Sequence, residues 1–389
     1  MNEARREPES IRSPRTTKIH FPGLNGLRFV AAFAVLLYHV EIFKHLAEMP
    51  NWSDNPFWNA MGPYGVVCFF CLSGFLITYL LLEETERTGT ILVRKFYMRR
   101  ILRIWPLYYL IVALGFVLLP LTDALLTGPQ WVLPGHTPLK ITLFLLLVPN
   151  LVWVTFGPMP LVSPLWSVGV EEQFYLLWPA LMRVLRGRVL IGILGVIVVM
   201  LCVRYAIPWS DDEPRSVHSI VARFLWTLKL ECMATGALAA YWLHENVRPA
   251  LSILYHPLMQ LAALLLIGVS LWQGRNYGEL DNLVWGSAFA VVILNLSSNP
   301  RSLLRLENPV LDYLGRISFG IYVYHSFAII GVLLVLRNLV RTEGVLFNCL
   351  VYGLSIALTI LLATISYRYY ESPFLRLKRR LMVVESSAR

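Results

Sequence analysis

Apolar runs of about twenty residues recur along the whole of this sequence. An α-helix needs about twenty apolar residues to cross the hydrocarbon layer of a bilayer, whereas the core of a water-soluble domain does not require runs of that length. Charged residues make up only 15% of the 389 positions, against about a quarter in soluble domains. The sequence therefore predicts an all-α, polytopic membrane protein.

Eleven segments have this apolar character. They are residues 27–44, 63–82, 104–121, 139–156, 166–184, 189–206, 222–243, 256–272, 283–297, 317–336 and 345–367. Loops on the cytoplasmic side of a membrane carry an excess of Lys and Arg, so the basic clusters indicate which segments cross. Those clusters lie in residues 1–19, 83–103, 183–188, 301–316 and 376–389.

All the basic clusters fall on one side of the membrane only if segment 139–156 does not cross. That segment ends in a stretch with Pro and Gly at 157–160, and irregular backbone at membrane depth is tolerated only against protein or a water-filled cavity. We therefore predict about ten transmembrane helices plus one half-inserted or outer-leaflet helix, with a cavity on the outer side. Both termini are then cytoplasmic, and residues 20–375 form a membrane domain between basic tails at 1–19 and 376–389.

The net charge of +10 does not indicate a nucleic-acid partner. The cations lie next to apolar segments, as the positive-inside rule expects, and not on a separate polar domain. Cys68 and Cys71 form a C-x-x-C pair, but no second Cys or His pair lies nearby at metal-ligand spacing. We therefore expect buried small side chains at these cysteines, and we predict neither nucleic acid nor metal as a ligand.

The first apolar segment contains Arg28 and His39, eleven residues apart. Eleven helical steps make about three turns, so both side chains lie on nearly the same face, about 16 Å apart along the axis. A snorkelling arginine and a histidine hydrogen-bonded inside the bundle would explain them. However, an ionisable group within the hydrocarbon usually marks a working site, and an imidazole titrates near neutral pH. The second interpretation is therefore that His39 acts as a general base.

Two further groups of charged residues open later segments. Arg100 and Arg103 are three residues apart, so they share a helix face where the third segment begins. They are either a topology anchor or a fork for phosphate, which guanidinium groups bind through paired hydrogen bonds. Glu171 and Glu172 diverge by about 100°, so they are not a carboxylate pair, and Tyr175 follows on the face of Glu171. One carboxylate is then expected to face a cavity while the other caps the helix or pairs.

A polar stripe runs along the tenth segment. Ser318, Tyr322 and His325 fall at i, i+4 and i+7 of one helix face, where they either form hydrogen bonds between helices or line a substrate path. Ser73, next to Gly74, lacks the G-x-S-x-G surroundings of a serine nucleophile. We therefore expect Ser73 and Gly74 to permit close packing of helices.

Segment 222–243 carries charges at Arg223, Lys229 and Glu231. Lys229 and Glu231 are two residues apart, so on a helix their side chains point away from each other. Charges inside a membrane protein pair with one another or face a water-filled space. We therefore expect their partners on other helices, or a wet site around them.

Together these segments resemble the integral-membrane acyltransferase family 3 over nearly the whole chain, residues 20–375. The motifs that carry the resemblance are Arg28 to His39, residues 69–77, Arg100 to Arg103, residues 166–175, residues 318–325 and residues 370–374. Each motif alone is weak, and their occurrence in the family's order makes the match specific.

The resemblance implies an acyltransferase of a bacterial-type cytoplasmic (inner) membrane, surrounded by membrane lipids. Such enzymes move an acetyl or other short acyl group from cytoplasmic acyl-CoA to a hydroxyl. The acceptor is a surface saccharide, a lipid-linked sugar or a glycosylated metabolite. Acetyl-CoA or another acyl-CoA is then the donor substrate, and no permanently bound cofactor is expected. No oligomeric state is predicted.

Carried over residue by residue, the resemblance implies that His39 is the essential histidine, either as a general base or as a transient acyl carrier. Arg28, Arg100 and Arg103 would bind the phosphates of CoA, with the pantetheine arm lying along the first helix. Glu171, the second catalytic candidate, would orient His39 or receive the acceptor. Substrate-binding roles are also expected for Glu172, Tyr175, Tyr322 and His325.

A multi-pass transporter or flippase of a saccharide or lipid is the alternative prediction. Ten crossings and a polar stripe suit such a protein, but the pair formed by Arg100 and Arg103 is less expected in it. Binding of acyl-CoA separates the two functions. A non-catalytic scaffold is disfavoured, because the charges of Arg28, Glu171 and Glu231 would then lower stability without purpose.

Overall fold

The computed structural model describes residues 19–122, 135–208, 216–339, 344–382 and 384. Within these ranges the chain is helical and contains no strand, which confirms the predicted all-α class. The helices are α1 (Leu24–Leu46), α2 (Pro56–Thr88), α3 (Val93–Thr122), α4 (Thr137–Leu145), α5 (Pro149–Phe156), α6 (Leu165–Val184), α7 (Val189–Ala206), α8 (Val217–Thr227), α9 (Leu230–His244), α10 (Arg248–Leu254), α11 (Pro257–Gln273), α12 (Asp281–Ser298), α13 (Pro309–Arg316), α14 (Ser318–Leu339), α15 (Val345–Ile365) and α16 (Ser372–Arg379). A π-helical turn, Ser366–Glu371, joins α15 to α16. Residues 1–18 of the predicted basic tail lie outside the described residues.

Seven of the described helices are long and apolar enough to cross a bilayer. They are Leu24–Leu46, Pro56–Thr88, Val93–Leu119, Val189–Ala206, Gly278–Ser298, Ser318–Arg337 and Val345–Arg379. The pair α10 and α11, which bends by 58° at a short break, makes an eighth if it is one span. The predicted number of about ten crossings is therefore not confirmed. The polar run 171–173 lowers the hydropathy of α6, and segment 222–243 is divided between α8 and α9.

The segment predicted not to cross, 139–156, consists of two short helices. α4 has nine residues and α5 has eight, so each is far shorter than the about twenty residues that a span needs. Asn150 of α5 donates to Gln173 Oε1 of α6 at 3.3 Å and accepts from Gln173 Nε2 at 2.9 Å. The same amide lies 3.4 Å from Thr227 Oγ1 of α8. The break between α4 and α5 is thus backed by protein, where irregular backbone is tolerated.

Segment 222–243 is broken at its centre and is not the single helix that its apolar run predicts. α8 ends at Thr227 and α9 begins at Leu230, with Lys229 in the left-handed region at φ +44°. A non-glycine residue rarely adopts this conformation, and such outliers cluster at functional sites. The break therefore makes Lys229 a residue of interest for the site described below.

Glu231, just after this break, has its partners on other helices, as expected. Arg204 of α7 donates from Nε to Glu231 Oε1 at 2.5 Å, and Asn282 Nδ2 of α12 donates to the same oxygen at 3.0 Å. Both side chains of the ion pair are 1% exposed. Removing one partner of a buried ion pair leaves an uncompensated charge, so this group fixes α7, α9 and α12 against one another.

The basic clusters meet at one end of the helical bundle, which we call the basic end. Three contacts join these segments: Arg186 Nη2 to Thr90 Oγ1 at 3.3 Å, Arg99 Nη1 to Leu381 O at 3.3 Å, and His20 Nε2 to Glu307 Oε1 at 2.6 Å. Arg316 also lines one pocket together with Arg103 and Lys378. The clusters predicted to be cytoplasmic therefore share one end of the molecule wherever the structure describes them.

The other end of the bundle, the opposite end, is held by buried polar groups. Glu41 of α1 accepts from Lys44 Nζ at 2.8 Å and from Tyr352 OH of α15 at 2.5 Å. Tyr64 OH of α2 donates to Arg275 O at 2.9 Å. These bonds fix the ends of α1, α2 and α15 around the cavity described below.

Helices α2 and α9 approach each other most closely at two glycines. A Cβ added at Gly74 would clash with the backbone of Met233, and one added at Gly236 would clash with the backbone of Cys71. Small residues at such interfaces let two backbones come into contact. The close packing predicted at Gly74 is therefore confirmed, and it is reciprocal across the two helices.

We predict that Gly236→Ala destabilises the fold. The added methyl group meets backbone that cannot move aside, and overpacking of this kind typically costs about 1–3 kcal/mol. The measurement is the thermal unfolding midpoint of the purified protein in detergent. Gly195→Ala in α7 is the matched control, because its Cβ would have no neighbour within 4 Å. An equal midpoint for both variants would contradict the proposed close contact.

Candidate active site

A cavity of about 90 Å³ lies among α1, α2, α3, α6 and α14, and we call it the arginine cavity. It is lined by Arg28, Val66, Phe69, Phe70, Ser73, Leu76, Ile77, Arg100, Arg103, Ile104, Ser167, Val168, Glu171, Tyr175, Ser318, Phe319 and Tyr322. Three helices that begin or end at the basic end thus supply three guanidinium groups and one carboxylate to a single space.

The arginines of this cavity have unused hydrogen-bonding capacity. Arg28 Nη1 and Arg100 Nε are buried and have no hydrogen-bond partner. The Arg100 guanidinium lies 5.5 Å from the ring of Tyr175 and 5.6 Å from the ring of Phe96, so aromatic faces hold it in place. Buried donors without an acceptor are rare in proteins and call for an explanation. An anion with several oxygens, such as a phosphate, would satisfy them.

Glu171 faces the same cavity and belongs to a small network of hydroxyl groups. Ser73 Oγ of α2 donates to Glu171 Oε1 at 2.8 Å. The Tyr175 hydroxyl lies 3.0 Å from Ser73 Oγ and 3.1 Å from Glu171 Oε2. Glu172 turns away, as its position on the helix predicts, and accepts from Trp105 Nε1 at 2.9 Å. The two adjacent carboxylates therefore have separate partners.

A larger cavity of about 550 Å³ lies toward the opposite end, and we call it the histidine cavity. It is lined by Val35, Tyr38, His39, Ile42, Phe43, His45, Leu46, Gly62, Pro63, Val66, Trp153, Pro158, Pro160, Ser163, Pro164, Trp166, Trp226, Thr227, Lys229, Asn276, Gly278, Asp281, Asn282 and Tyr322. Its wall combines indole rings with a few polar groups, among them Lys229 from the break between α8 and α9. Rings and sparse polar groups are typical of ligand pockets.

His39 is oriented by its own helix and by a second histidine. Its Nδ1 lies 2.9 Å from Val35 O, and since a carbonyl only accepts, Nδ1 carries the proton and Nε2 of the neutral ring is a free base. The ring of His325 on α14 is 4.6 Å away between centroids. His325 is fully buried, and its nitrogens lie near the carbonyls of Ile321 and Tyr322 without a well-formed hydrogen bond.

The two cavities are separated by a thin layer of side chains. Val66 of α2 and Tyr322 of α14 line both of them. The Tyr322 hydroxyl lies 2.6 Å from Ser167 Oγ of α6 and 3.2 Å from Pro164 O. Val66 and Tyr322 thus lie between the arginine cavity and the histidine cavity.

The structure brings most of the predicted site residues to these two spaces. Arg28, Arg100, Arg103, Glu171, Tyr175 and Tyr322 line the arginine cavity, and His39 and Tyr322 line the histidine cavity. Glu172 and His325 stand behind the cavity walls. Glu171 contacts Ser73 and Tyr175 and lies with the arginines, and its expected pairing with His39 is not seen.

Two functional candidates were missed in the sequence. Ser73, next to the closely packed Gly74, also donates its hydroxyl to Glu171. Ser73 and Glu171 are 98 residues apart, so no local sequence pattern connects them. Lys229 lines the histidine cavity. Its charge inside an apolar segment was a signal, but only the broken helix shows where the residue lies.

Glu83, Glu86 and His244 form a group with metal-ligand character at the basic end, with their ligand atoms within 4.8 Å of one another. Glu83 also forms an ion pair with Arg87 at 2.6 Å. Neither cavity is lined by Glu83, Glu86 or His244. The group is therefore read as charge pairing between α2 and α9.

Comparison with known proteins identifies the family of the chain. The family profile described as "Acyltransferase domain" matches residues 21–368. The chain is 27% identical to "O-acetyltransferase OatA" of Staphylococcus aureus (strain NCTC 8325 / PS 47), over 94% of this chain and 58% of that protein. It is also 27% identical to "Putative O-acetyltransferase SACOL0978" of Staphylococcus aureus (strain COL), over 91% of this chain and 57% of that protein. The chain thus spans somewhat more than half the length of these relatives. No solved structure matches it.

The matched region contains every residue of the two cavities, from Arg28 on α1 to Tyr322 on α14. It also contains all the motifs from which the resemblance was predicted, except for the 370–374 run, which lies just beyond its end. The chain belongs to the integral-membrane acyltransferase family 3.

Proposed function

We propose that this chain transfers a short acyl group, acetyl in the first instance, from acyl-CoA to a hydroxyl group of a saccharide or lipid-linked sugar. The observation that carries the proposal is the pair of cavities that meet at Val66 and Tyr322. One has the chemistry for phosphate and the other contains a free imidazole. A thioester and a hydroxyl can therefore approach His39 from different ends of the bundle.

The donor side of the proposal rests on the arginine cavity. Guanidinium groups with unsatisfied N–H donors suit the phosphates of CoA. Arg28 and His39 are separated by about 16 Å along α1, a distance that an extended pantetheine arm spans. The arm would pass Tyr322 and present the thioester carbon to the imidazole.

The acyl transfer needs one base and one leaving thiol. In the direct route, Nε2 of His39 takes the proton of the acceptor hydroxyl, and the oxygen forms the new ester bond with the acyl carbon. The carbon–sulfur bond breaks, and the proton passes to the thiolate to give free CoA. In the carrier route, Nε2 first attacks the acyl carbon and the carbon–sulfur bond breaks to release the CoA thiolate. The acyl group then passes from Nε2 to the hydroxyl oxygen, and the hydroxyl proton goes to the thiolate. Both routes use the same nitrogen.

The acceptor side of the proposal rests on the histidine cavity. At about 550 Å³ it falls within the usual range of about 300–1,000 Å³ for ligand pockets. Trp153 and Trp166 stack at 5.7 Å between centroids in its wall, and such rings offer apolar faces to a sugar. The relatives named as O-acetyltransferases support a hydroxyl acceptor and an acetyl group.

We predict that His39→Ala lowers acyl transfer by about 10²–10⁴-fold, the usual contribution of a general base. The measurement is transfer of radiolabelled acetyl from acetyl-CoA to membrane saccharide at equal expression. The control is His218→Ala, which removes an exposed histidine of α8 that lines neither cavity and is expected to retain transfer.

Equal transfer by His39→Ala and the unchanged protein would remove the catalytic role. If the purified chain fails to bind acetyl-CoA but moves saccharide or lipid across vesicles, the transporter alternative replaces the proposal.

We predict that Arg100→Ala raises the KM for acetyl-CoA about tenfold or more and changes kcat less. A hydrogen bond to a charged group contributes about 1.5–3 kcal/mol, and 1.4 kcal/mol is tenfold in binding. Arg94→Ala, an exposed arginine of the same helix, is the control. A KM that rises equally in both variants would show a general effect of surface charge.

We further propose that the basic end faces the cytoplasm of a bacterial cell, with both termini on that side. A green fluorescent protein fused after residue 389 is expected to fluoresce, and alkaline phosphatase at the same place is expected to be inactive. A phosphatase inserted after Asn51, at the opposite end, should be active. Phosphatase activity at the C-terminal fusion would overturn this orientation and the even number of crossings.

A further inference from the structure

A third pocket, of about 50 Å³, lies at the basic end beside α16, and we call it the C-terminal pocket. Its charged lining consists of Arg103, Arg316, Lys378, Arg379 and Glu371. Four cations against one carboxylate give this small space a formal charge of +3. The proposed function uses only Arg103 of this set.

The C-terminal pocket adjoins the arginine cavity. Arg103 and Phe319 line both spaces. A ligand that fills the arginine cavity can therefore extend past these two side chains into the C-terminal pocket. The arginine cavity, at about 90 Å³, is much smaller than the about 300 Å³ at which pockets for whole small molecules begin. The nucleotide of an acyl-CoA would have to lie beyond it.

The fold holds the C-terminal pocket in shape. The π-helical turn Ser366–Glu371 ends α15, and turns of this kind are frequent at functional sites. Within it, Ser366 Oγ donates to Glu371 Oε1 at 3.0 Å, and Tyr370 OH donates to Pro106 O of α3 at 3.1 Å. The Arg99 guanidinium bonds to Leu381 O just after α16. α16 is therefore tied to α3, the helix that carries Arg100 and Arg103.

We infer that the C-terminal pocket binds the ribose 3′-phosphate of the acyl-CoA donor, next to the phosphates that the proposed function assigns to the arginine cavity. Lys378, Arg379 and Arg316 supply the charge, and Arg103 contacts the ligand where it enters the arginine cavity. This inference rests on the proposed function and assigns the part of the donor that the two larger cavities do not accommodate. Glu371 accepts from Ser366, and it is the one carboxylate among the four cations that line the pocket.

The headgroup phosphate of a membrane lipid has the same chemistry as the donor phosphate. The continuity with the arginine cavity favours the donor, because a lipid on the surface of α16 would not need a passage between Arg103 and Phe319. The two sources give different results when the 3′-phosphate is removed from the donor and the lipid is kept neutral.

The test uses the full chain in nanodiscs of phosphatidylcholine, with acetyl-CoA and 3′-dephospho-acetyl-CoA as donors. We expect the unchanged protein to show a KM about tenfold higher for the dephospho donor, the effect of losing one charged hydrogen-bonding group. In the double variant Lys378→Ala/Arg379→Ala, the KM for acetyl-CoA should rise to that of the dephospho donor with kcat preserved. The ratio of the two KM values then falls to about one.

The matched control is the double variant Arg376→Ala/Arg380→Ala, which removes the same charge from the same segment at residues outside the pocket. It should keep the tenfold ratio. Arg316→Ala, on α13, should also lower the ratio of the two KM values. Because this substitution leaves α16 unchanged, such a result would not be explained by misfolding of α16.

Binding of adenosine 3′,5′-bisphosphate and of adenosine 5′-phosphate to the purified chain, measured by thermal shift, tests the pocket without acyl transfer. A preference for the bisphosphate that is lost in Lys378→Ala/Arg379→Ala supports the inference even if no acceptor is acylated, a result that would count against the proposed function alone. Equal KM values for both donors, equal binding of both nucleotides, or a ratio unchanged in the double variant would overturn the inference. A KM that follows the content of anionic lipid but not the 3′-phosphate would assign the pocket to a lipid headgroup.

Discussion

The structure depends on the cost of placing a charge in apolar surroundings, which favours pairing each buried charge or letting it face a space. Glu41 pairs with Lys44 at 2.8 Å, and Arg204 pairs with Glu231, with at most 2% of any of these side chains exposed. Arg28 differs, since it lines a cavity and one of its N–H groups has no acceptor. Paired charges hold helices together in this fold, whereas the unsatisfied donors of the arginine cavity are where we propose that a ligand binds.

The close packing of the helices also bears on the partition between the two cavities. Val66 and Tyr322 divide them, and the Tyr322 hydroxyl is held by Ser167 at 2.6 Å. Rotation of a side chain is local and fast, whereas moving a helix would break the contacts of Gly74 and Gly236 between α2 and α9. The passage that the proposed function requires between the two cavities is therefore easier to open by side-chain rotation than by helix movement.

The all-α fold class and most of the predicted residues that line the two cavities could be found from the sequence. The length of an apolar run and the spacing of charges on one helix are local properties. The pairing of Glu171 with Ser73 could not be found in this way, since it joins two helices 98 residues apart in the chain. The break at Lys229 was hidden because neither Gly nor Pro stands between residues 222 and 233, so the turn had no signal. The predicted number of about ten crossings is not confirmed, because segment 222–243 is divided between α8 and α9 and the polar run of α6 lowers the hydropathy of that helix.

Arg100 and Arg103 were predicted either as a topology anchor or as a phosphate fork, and the geometry makes these roles compatible. Positive charge favours the cytoplasmic side, which is also where acyl-CoA is found under the proposed orientation. A membrane enzyme with a cytoplasmic acyl-CoA donor therefore carries cations on the donor's side of the membrane, whether or not they form a binding site. Which of these arginines can serve as a phosphate fork then depends on burial. Exposed Arg94 remains solvated. Arg100 is held against the rings of Tyr175 and Phe96, and its Nε has no hydrogen-bond acceptor. Under the proposed function, Arg100 differs from a simple topology anchor because burial removes water from its guanidinium group.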